Sequence, residues 1–522
     1  MSGIEFTYRN GEEAGHYSIL ESLGGGVALL DYDADGLLDI FIPGGGHFGP
    51  KKEILSYSPV LYRNLGNWKF QDVTQEAGLK FAPYYSHGVA VDDYDHDGFP
   101  DILVTGYGGL TFFHNRGDGT FEERAKPAGL TDKQWSSTAA WGDLNGDGSP
   151  DLYVAHYVNW SWENDPPCYA VQDQQREVCP PKKFKGLSDI IYLSNGDGTF
   201  QDATRQLGLK REGKGLGALI GDFDLNGQLD IFVANDEEDN FLYRNTVSGK
   251  FQEIGMVSGT SRGDDGRVNG SMGIDIGDFN GDGLPDLWIA NYERESFALL
   301  RNEQNCLFTH VGQSLGITSL GGLYVGWGTA FIDFDRDGDL DIFVSNGHVI
   351  RHPVNAPVMQ KPILLENQNG KRFKNISATA GEYFRQSHMG RGLAAGDLDD
   401  DGDVDIVISR TNQPVAVLEN ETPNSNSWIQ FRLIGTKSCR HPVGAIVTVK
   451  TSSGKKQVKQ IKSGSSYAST NDPRLFFGLG TSKVESVEIR WPSGQVQHLD
   501  SLAADQTHII IEQRTPIPAR HP

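Results

Sequence analysis

Seven times along its 522 residues the chain writes Asp-x-Asp/Asn-x-Asp/Asn-Gly-x-x-Asp. The windows are Asp31–Asp39, Asp93–Asp101, Asp143–Asp151, Asp222–Asp230, Asp278–Asp286, Asp333–Asp341 and Asp397–Asp405. Positions 1, 3, 5 and 9 hold 25 Asp and three Asn (Asn145, Asn226 and Asn280), and position 6 is always Gly. Four carboxylates drawn into a tight loop repel one another unless a cation sits between them. Asp-Gly turns without metal explain one such window easily and seven poorly.

The residue types select the cation. Calcium takes six to eight oxygens in a flexible shell, which alternate carboxylates and one backbone carbonyl supply; magnesium demands a stricter octahedron. Zinc asks for His or Cys, which are absent from positions 1, 3, 5 and 9. The expected ligands, with the carbonyl-donating seventh position given fourth, are Asp31, Asp33, Asp35, Leu37 and Asp39; Asp93, Asp95, Asp97, Phe99 and Asp101; and Asp143, Asn145, Asp147, Ser149 and Asp151. They continue with Asp222, Asp224, Asn226, Gln228 and Asp230; Asp278, Asn280, Asp282, Leu284 and Asp286; Asp333, Asp335, Asp337, Asp339 and Asp341; and Asp397, Asp399, Asp401, Asp403 and Asp405. The fourth loop, with Asn226 and Gln228, is expected to hold its ion least well. Seven divalent ions add +14 to a formal charge of −23 and leave −9, so the acidity is mostly ligand charge. No basic stripe offers itself to nucleic acid.

Loop starts are separated by 62, 50, 79, 56, 55 and 64 residues, the length of one four-stranded sheet per repeat. A small-residue strand precedes each loop, as in Gly88-Val89-Ala90-Val91, and another follows, as in Asp341-Ile342-Phe343-Val344. A third carries Leu61-Tyr62-Arg63-Asn64, Leu242-Tyr243-Arg244-Asn245 or Leu299-Leu300-Arg301-Asn302; a fourth opens at Phe after a Gly-rich turn, as at Phe121 and Phe200. The expectation is an all-β, seven-bladed β-propeller over residues 1–425 and a small β-domain over 426–522. In the latter, strands are expected over 428–433, 445–450, 457–461, 485–491 and 507–512, with the domain covering or clamping a propeller edge. The sequence contains no apolar run of about 18 residues that would span a membrane. Met1-Ser2-Gly3 opens without a signal-peptide pattern, which leaves an intracellular protein or a leader already removed.

These repeats resemble FG-GAP/VCBS repeats, the calcium-loop blades also seen in integrin α-subunit propellers. The C-terminal stretch, with Gly464-Ser465-Ser466-Tyr467, Asn471-Asp472-Pro473-Arg474, Phe477-Gly478-Leu479-Gly480 and Arg490-Trp491-Pro492-Ser493-Gly494, resembles the ASPIC/UnbV domain. Together they resemble the cartilage acidic protein family and its bacterial relatives. The resemblance implies a secreted, periplasmic or cell-surface protein.

The long third spacing marks an insertion over about 157–188, where Cys168 and Cys179 are expected to form a disulfide suited to an oxidising compartment. The calcium loops must share one face. The opposite face gathers His87, Asp236, Tyr324, His348, His388 and Arg391, candidates for a pocket in a central funnel. One reading is a binding or adhesion module for a glycan, a protein or a small polar molecule. The other is a lyase, dehydratase or cyclase using those His, Tyr, Asp and Arg groups. No nucleophile elbow, His-Glu-x-x-His or phosphate loop is present.

Overall fold

The computed structural model describes residues 3–170, 172, 174–209, 212–246, 249–320, 322–423, 425–514 and, as backbone, 517–518. Seven antiparallel sheets follow one another along the chain. The first is Ala28–Leu30, Asp39–Ile42, Val60–Asn64 and Phe70–Asp72; the second is Tyr85–Asp92, Asp101–Tyr107, Thr111–Asn115 and Phe121–Glu123. The same order repeats from inner strands Ser136–Gly142, Gly215–Gly221, Asn269–Gly277, Gly326–Ile332 and Gly390–Gly396. Each inner strand packs on the next, and that of the seventh blade returns to that of the first, closing the ring. This is a seven-bladed β-propeller. Small residues suit the inner strands because they crowd the axis.

Two departures break the repetition. The seventh blade has three strands among the described residues, because after Leu418 the chain leaves for the second domain. Its neighbour across the closure is the N-terminal segment: Val415 N–H donates to Phe6 O at 2.9 Å, and Asn412 N–H to Tyr8 O at 2.8 Å. Between the fourth and fifth blades, the second strand of the fourth (Asp230–Glu238) runs on to pair with Asn269 and Gly270, fusing two sheets at one face.

Residues from Ser427 build two four-stranded sheets. Their strands are Ser427–Ile434, Ile446–Thr451, Lys456–Gln460, Leu475–Gly480, Val484–Arg490, Val496–Asp500, Thr507–Ile511 and Ile517–Pro518. Leu475–Gly480, Val496–Asp500 and Ile517–Pro518 are additions to the strands expected from sequence. The domain does not clamp an edge. It caps the face that carries the Asp loops, because its basic side chains meet the loops' excess carboxylates. Arg440 Nε lies 3.2 Å from Asp93, Lys455 Nζ 2.7 Å from Asp339 and Arg474 Nη1 2.8 Å from Asp400.

From this cap the segment 463–472 enters the propeller axis and bonds to the inner strand of every blade. Ser463 exchanges backbone bonds with Ile220, and its hydroxyl accepts from Trp141 N. Ser466 pairs with Ile274, and its hydroxyl accepts from Thr329 N. Val89 N donates to Ala468 O, Thr470 N to Val27 O and Asp472 N to Ala395 O. Inner-strand groups that a bare axis would leave to water are satisfied by this one segment.

Candidate functional site

The seven loops share one wiring. At position 6 the backbone is left-handed in every loop (φ from 84° to 104°), and the Gly N–H donates to the position-1 carboxylate, as Gly227 does to Asp222 at 2.7 Å. Position 4 is left-handed too, even where it is Ala34, His96, Leu225, Arg336 or Asp400. Side chains there cost of order 1 kcal/mol, a cost the repeated loop geometry overcomes five times. The position-7 N–H donates to the position-5 side chain, as Leu284 does to Asp282 at 2.9 Å.

The position-9 Asp ties loop to blade. One oxygen accepts from the position-2 N–H and the other from the backbone N–H that closes the third strand. For Asp39 these are Tyr32 at 3.1 Å and Asn64 at 2.8 Å; for Asp341 they are Phe334 at 3.3 Å and Asn367 at 2.7 Å. The third-strand Asn then reaches out of its own blade. Asn115 Nδ2 donates to Tyr32 O, Asn245 to Leu144 O, Asn302 to Phe223 O, Asn367 to Phe279 O and Asn420 to Phe334 O. Asn64 donates to Leu398 O and closes the circle. Each is a bond to the position-2 carbonyl of the preceding loop. The third blade carries Ser194 in this place, and a serine is too short to make the link.

Carboxylate oxygens remain over. Asp31, Asp33, Asp93, Asp224, Asp333, Asp397 and Asp399 each keep a buried Oδ1 without a hydrogen-bond partner. Asp31, Asp33 and Asp39 bring oxygens within 4.8 Å of one another, as do Asp93, Asp95 and Asp101, and Asp333, Asp335 and Asp341. Burial, with the neighbouring carboxylates adding a smaller push, raises Asp39, Asp151, Asp286 and Asp405 to about 8, so keeping them ionised together calls for a cation. A hard, oxygen-seeking divalent ion fits this donor set. Loops three and five differ: Asn145 and Asn280 turn their amides onto Asp147 and Asp282 at 2.8 and 2.9 Å.

On the opposite face the described residues leave no open axial funnel. Tyr467, at the tip of the axial segment, is buried, accepts from Gly24 N at 3.1 Å and sets its ring edge-on to Trp327, centroids 4.6 Å apart. Around it lie Ile19 and Leu20 of the N-terminal segment, Trp135 just before the third blade's inner strand, and Tyr157, Trp160 and Phe184 of the third-blade insertion. The insertion carries the disulfide Cys168–Cys179; Cys306 and Cys439 are free and buried. Arg351 N and His352 N donate to Glu177, and the Arg351 guanidinium pairs with Glu12 and Glu21, tying the cover together.

The residues proposed for the funnel are placed within this packing. His87 is buried and neutral, pushed down to about 3 by burial, and its Nε2 accepts from Trp135 Nε1 at 2.8 Å. Arg391 gives its guanidinium to the carbonyls of Gly390, Gly347 and His348 and lies over the Trp327 ring at 4.5 Å. His388 stacks on Tyr383, 4.0 Å between centroids, with its nitrogens at Tyr383 O and Arg410. Asp236 accepts from Tyr157 Oη at 2.6 Å, and burial pushes it up to about 7. His348 turns Nδ1 to Val349 N and holds Nε2 3.6 Å from Glu293. Tyr324 is half-buried beside the fifth and sixth blades. Arg391 and His348 meet; the others belong to separate blades and do not converge on one point. An off-axis cavity of about 540 Å³, lined by Arg9, Glu12, Glu13, Glu21, Arg351 and His352, opens on this face. A second, of about 400 Å³, lies between the cap and the Asp loops. Nothing local in the chain points to the first, because its walls come from three distant segments.

Residues 31–104, 93–154, 222–289 and 278–344 match the FG-GAP-like repeat, and residues 435–517 match the ASPIC and UnbV family. The chain belongs to the proteins that join FG-GAP repeats to an ASPIC/UnbV domain. It is similar to cartilage acidic protein 1 of Xenopus tropicalis, 24% identical over 498 residues, 90% of this chain and 70% of that protein. The human cartilage acidic protein 1 is 25% identical over 473 residues, 79% of this chain and 69% of that one. Among solved structures, an Agrocybe aegerita lectin that recognises non-reducing terminal N-acetylglucosamine aligns with 76% of this chain and 94% of its own. The identity there is 18% and the TM-score 0.40. Among the described residues no helix is long and apolar enough to cross a membrane.

Proposed function

We propose that the protein is a calcium-stabilised, extracellular or periplasmic binding module. The observation that carries this reading is the set of buried, partnerless carboxylate oxygens found in five of the seven loops. Calcium is the ion that suits an all-oxygen, flexible shell, and millimolar calcium outside cells matches weak, repeated sites. The disulfide suits the same compartment. The calcium face is covered by the cap, so recognition falls to the opposite face. With the axis filled by Tyr467, the open polar cavity at Arg9, Glu13 and Arg351 is the ligand site. Its mix of guanidinium and carboxylates suits a glycan or another small polar molecule, which presents both donors and acceptors.

The test has two arms. Chelation should lower the melting temperature, since native-state binding adds about 2.7 kcal/mol per site at a hundredfold excess over Kd. Calcium-loaded protein is then screened on a glycan array, and Arg9→Ala with Glu13→Gln should abolish the hits without moving the melting curve. Hits that survive the double substitution place the ligand elsewhere.

A further inference from the structure

On the face opposite the Asp loops, three consecutive blades end their second strand alike. Asn235, Asn291 and Asn346 each stand five residues after the position-9 Asp. Each amide donates to a carbonyl of the loop that follows: Asp239 O at 2.9 Å, Ser296 O at 2.7 Å and Lys361 O at 2.9 Å. Two residues beyond these Asn come Glu237, Glu293 and His348. The repeat thus sets two carboxyls and an imidazole at one level in neighbouring blades. His348 Nε2 lies 3.6 Å from Glu293 Oε2. Burial and then the charges of Glu293, Asp236 and Glu237 raise the Tyr292 pKa, so both glutamates border that one ring.

All three side chains end in an atom that nothing satisfies. Glu237 Oε2, Glu293 Oε2 and His348 Nε2 are buried without a hydrogen-bond partner, and 3.6 Å is too long for one between the last two. His348 itself is 0% exposed. The backbone fixes where its proton sits: Nδ1 accepts from Val349 N at 3.0 Å and Ile350 N at 3.3 Å. Burial and Arg391 push the imidazole down to about 4, so it is neutral and carries its hydrogen on Nε2, toward Glu293. Glu237 holds a left-handed backbone, φ 54°, a strain that proteins keep at ligand clamps.

A donor and an acceptor 3.6 Å apart admit one oxygen about 2.8 Å from each. That oxygen must accept from an N–H and donate to a carboxylate, which a hydroxyl does. An ammonium cannot accept, and a phosphate or carboxylate is repelled by the two glutamates. A transition metal needs the Nε2 lone pair and a proton on Nδ1, which the Val349 and Ile350 N–H groups deny. We propose that Glu237, Glu293 and His348 form a hydroxyl-binding subsite for a neutral sugar, one hydroxyl bridging His348 to Glu293 and its neighbour donating to Glu237. The Glu293 side chain is 10% exposed and Glu237 is half-buried, which sets the subsite just beneath the surface. None of the three lines the cavity at Arg9 and Arg351. The inference therefore goes beyond the ligand site proposed above and depends neither on that cavity nor on calcium.

The probes are glucose, galactose, mannose and N-acetylglucosamine, with their O-methylated forms as controls that lack the donating hydroxyl. Binding to the full chain is read by saturation-transfer NMR and calorimetry. At least one free sugar should bind and its O-methylated form should not. Glu293→Gln and Glu237→Gln keep the side-chain shape, and each should weaken that binding at least about tenfold, the loss of a hydrogen bond to a charged group. Their melting curves, recorded alongside, show that the variants are folded. Arg9→Ala should leave this binding unchanged. Binding lost in Arg9→Ala and kept in both glutamate variants puts the sugar in the cavity, which overturns the proposal and leaves the cavity reading standing. No binding by any of the four sugars also overturns it, and assigns the three atoms to an ordered water only.

Discussion

Asn302 offers the cleanest perturbation of the ring. Its amide donates to Phe223 O at 2.8 Å and Pro285 O at 3.0 Å, and its carbonyl accepts from Gln304 N at 2.9 Å. The side chain is 1% exposed, so the groups left behind in Asn302→Ala find no ready water. Three net bonds at about 1 kcal/mol each, with a further desolvation penalty for stranded carbonyls, give a loss of about 4 kcal/mol. Unfolding entropy near 2.1 cal/mol/K per residue over 522 residues amounts to about 1.1 kcal/mol/K, so the melting temperature should fall about 4 °C if the ring melts as one. Differential scanning calorimetry in calcium reads this directly. The converse substitution, Ser194→Asn, supplies the missing link and should raise the melting temperature by about 1 °C. An unchanged transition in Asn302→Ala refutes the idea that these amides hold neighbouring blades together.

Tyr467→Ala removes a buried ring from the axis and should cost about 3–5 kcal/mol; limited proteolysis between 420 and 427 should then release the cap sooner. Replacing Cys168 and Cys179 with Ser opens a short loop and should cost about 3 kcal/mol on the chain-entropy estimate, with faster hydrogen exchange confined to the cover over Trp135 and Tyr157. The His156 imidazole is buried, and although burial opposes its charge, Asp132 at 2.6 Å and the Ser188 carbonyl raise its pKa. Its contribution is therefore full below the unfolded value of about 6.5 and lost as pH rises through the folded value. The stability gap between wild type and His156→Gln should shrink as pH rises above the unfolded value of about 6.5; a constant gap contradicts a charged His156.

The propeller was legible because its loops and strands repeat. Gly at position 6, Asp at position 9 and Asn at the end of the third strand each answer a backbone demand within one repeat or its neighbour, so each recurs in the sequence. The axial segment was not legible. Gly464-Ser465-Ser466-Tyr467 and Asn471-Asp472-Pro473 read as turns between strands of their own domain, and nothing local says that their hydroxyls and carbonyls pair with another domain's inner strands. That same segment explains the misplaced funnel. His87, His388 and Arg391 do stand near the axis, but with Tyr467 and the insertion over them their polar groups are spent on packing.

The calcium count decides the central claim. Untagged protein, equilibrated in calcium and passed through a calcium-free column, is analysed by atomic emission and melted with and without chelator. The loops predict up to seven ions per chain, one fewer in Asp286→Asn than in wild type, and a lower melting temperature once they are stripped. Fewer than five ions in wild type, or a melting curve indifferent to verified metal removal, contradicts the account.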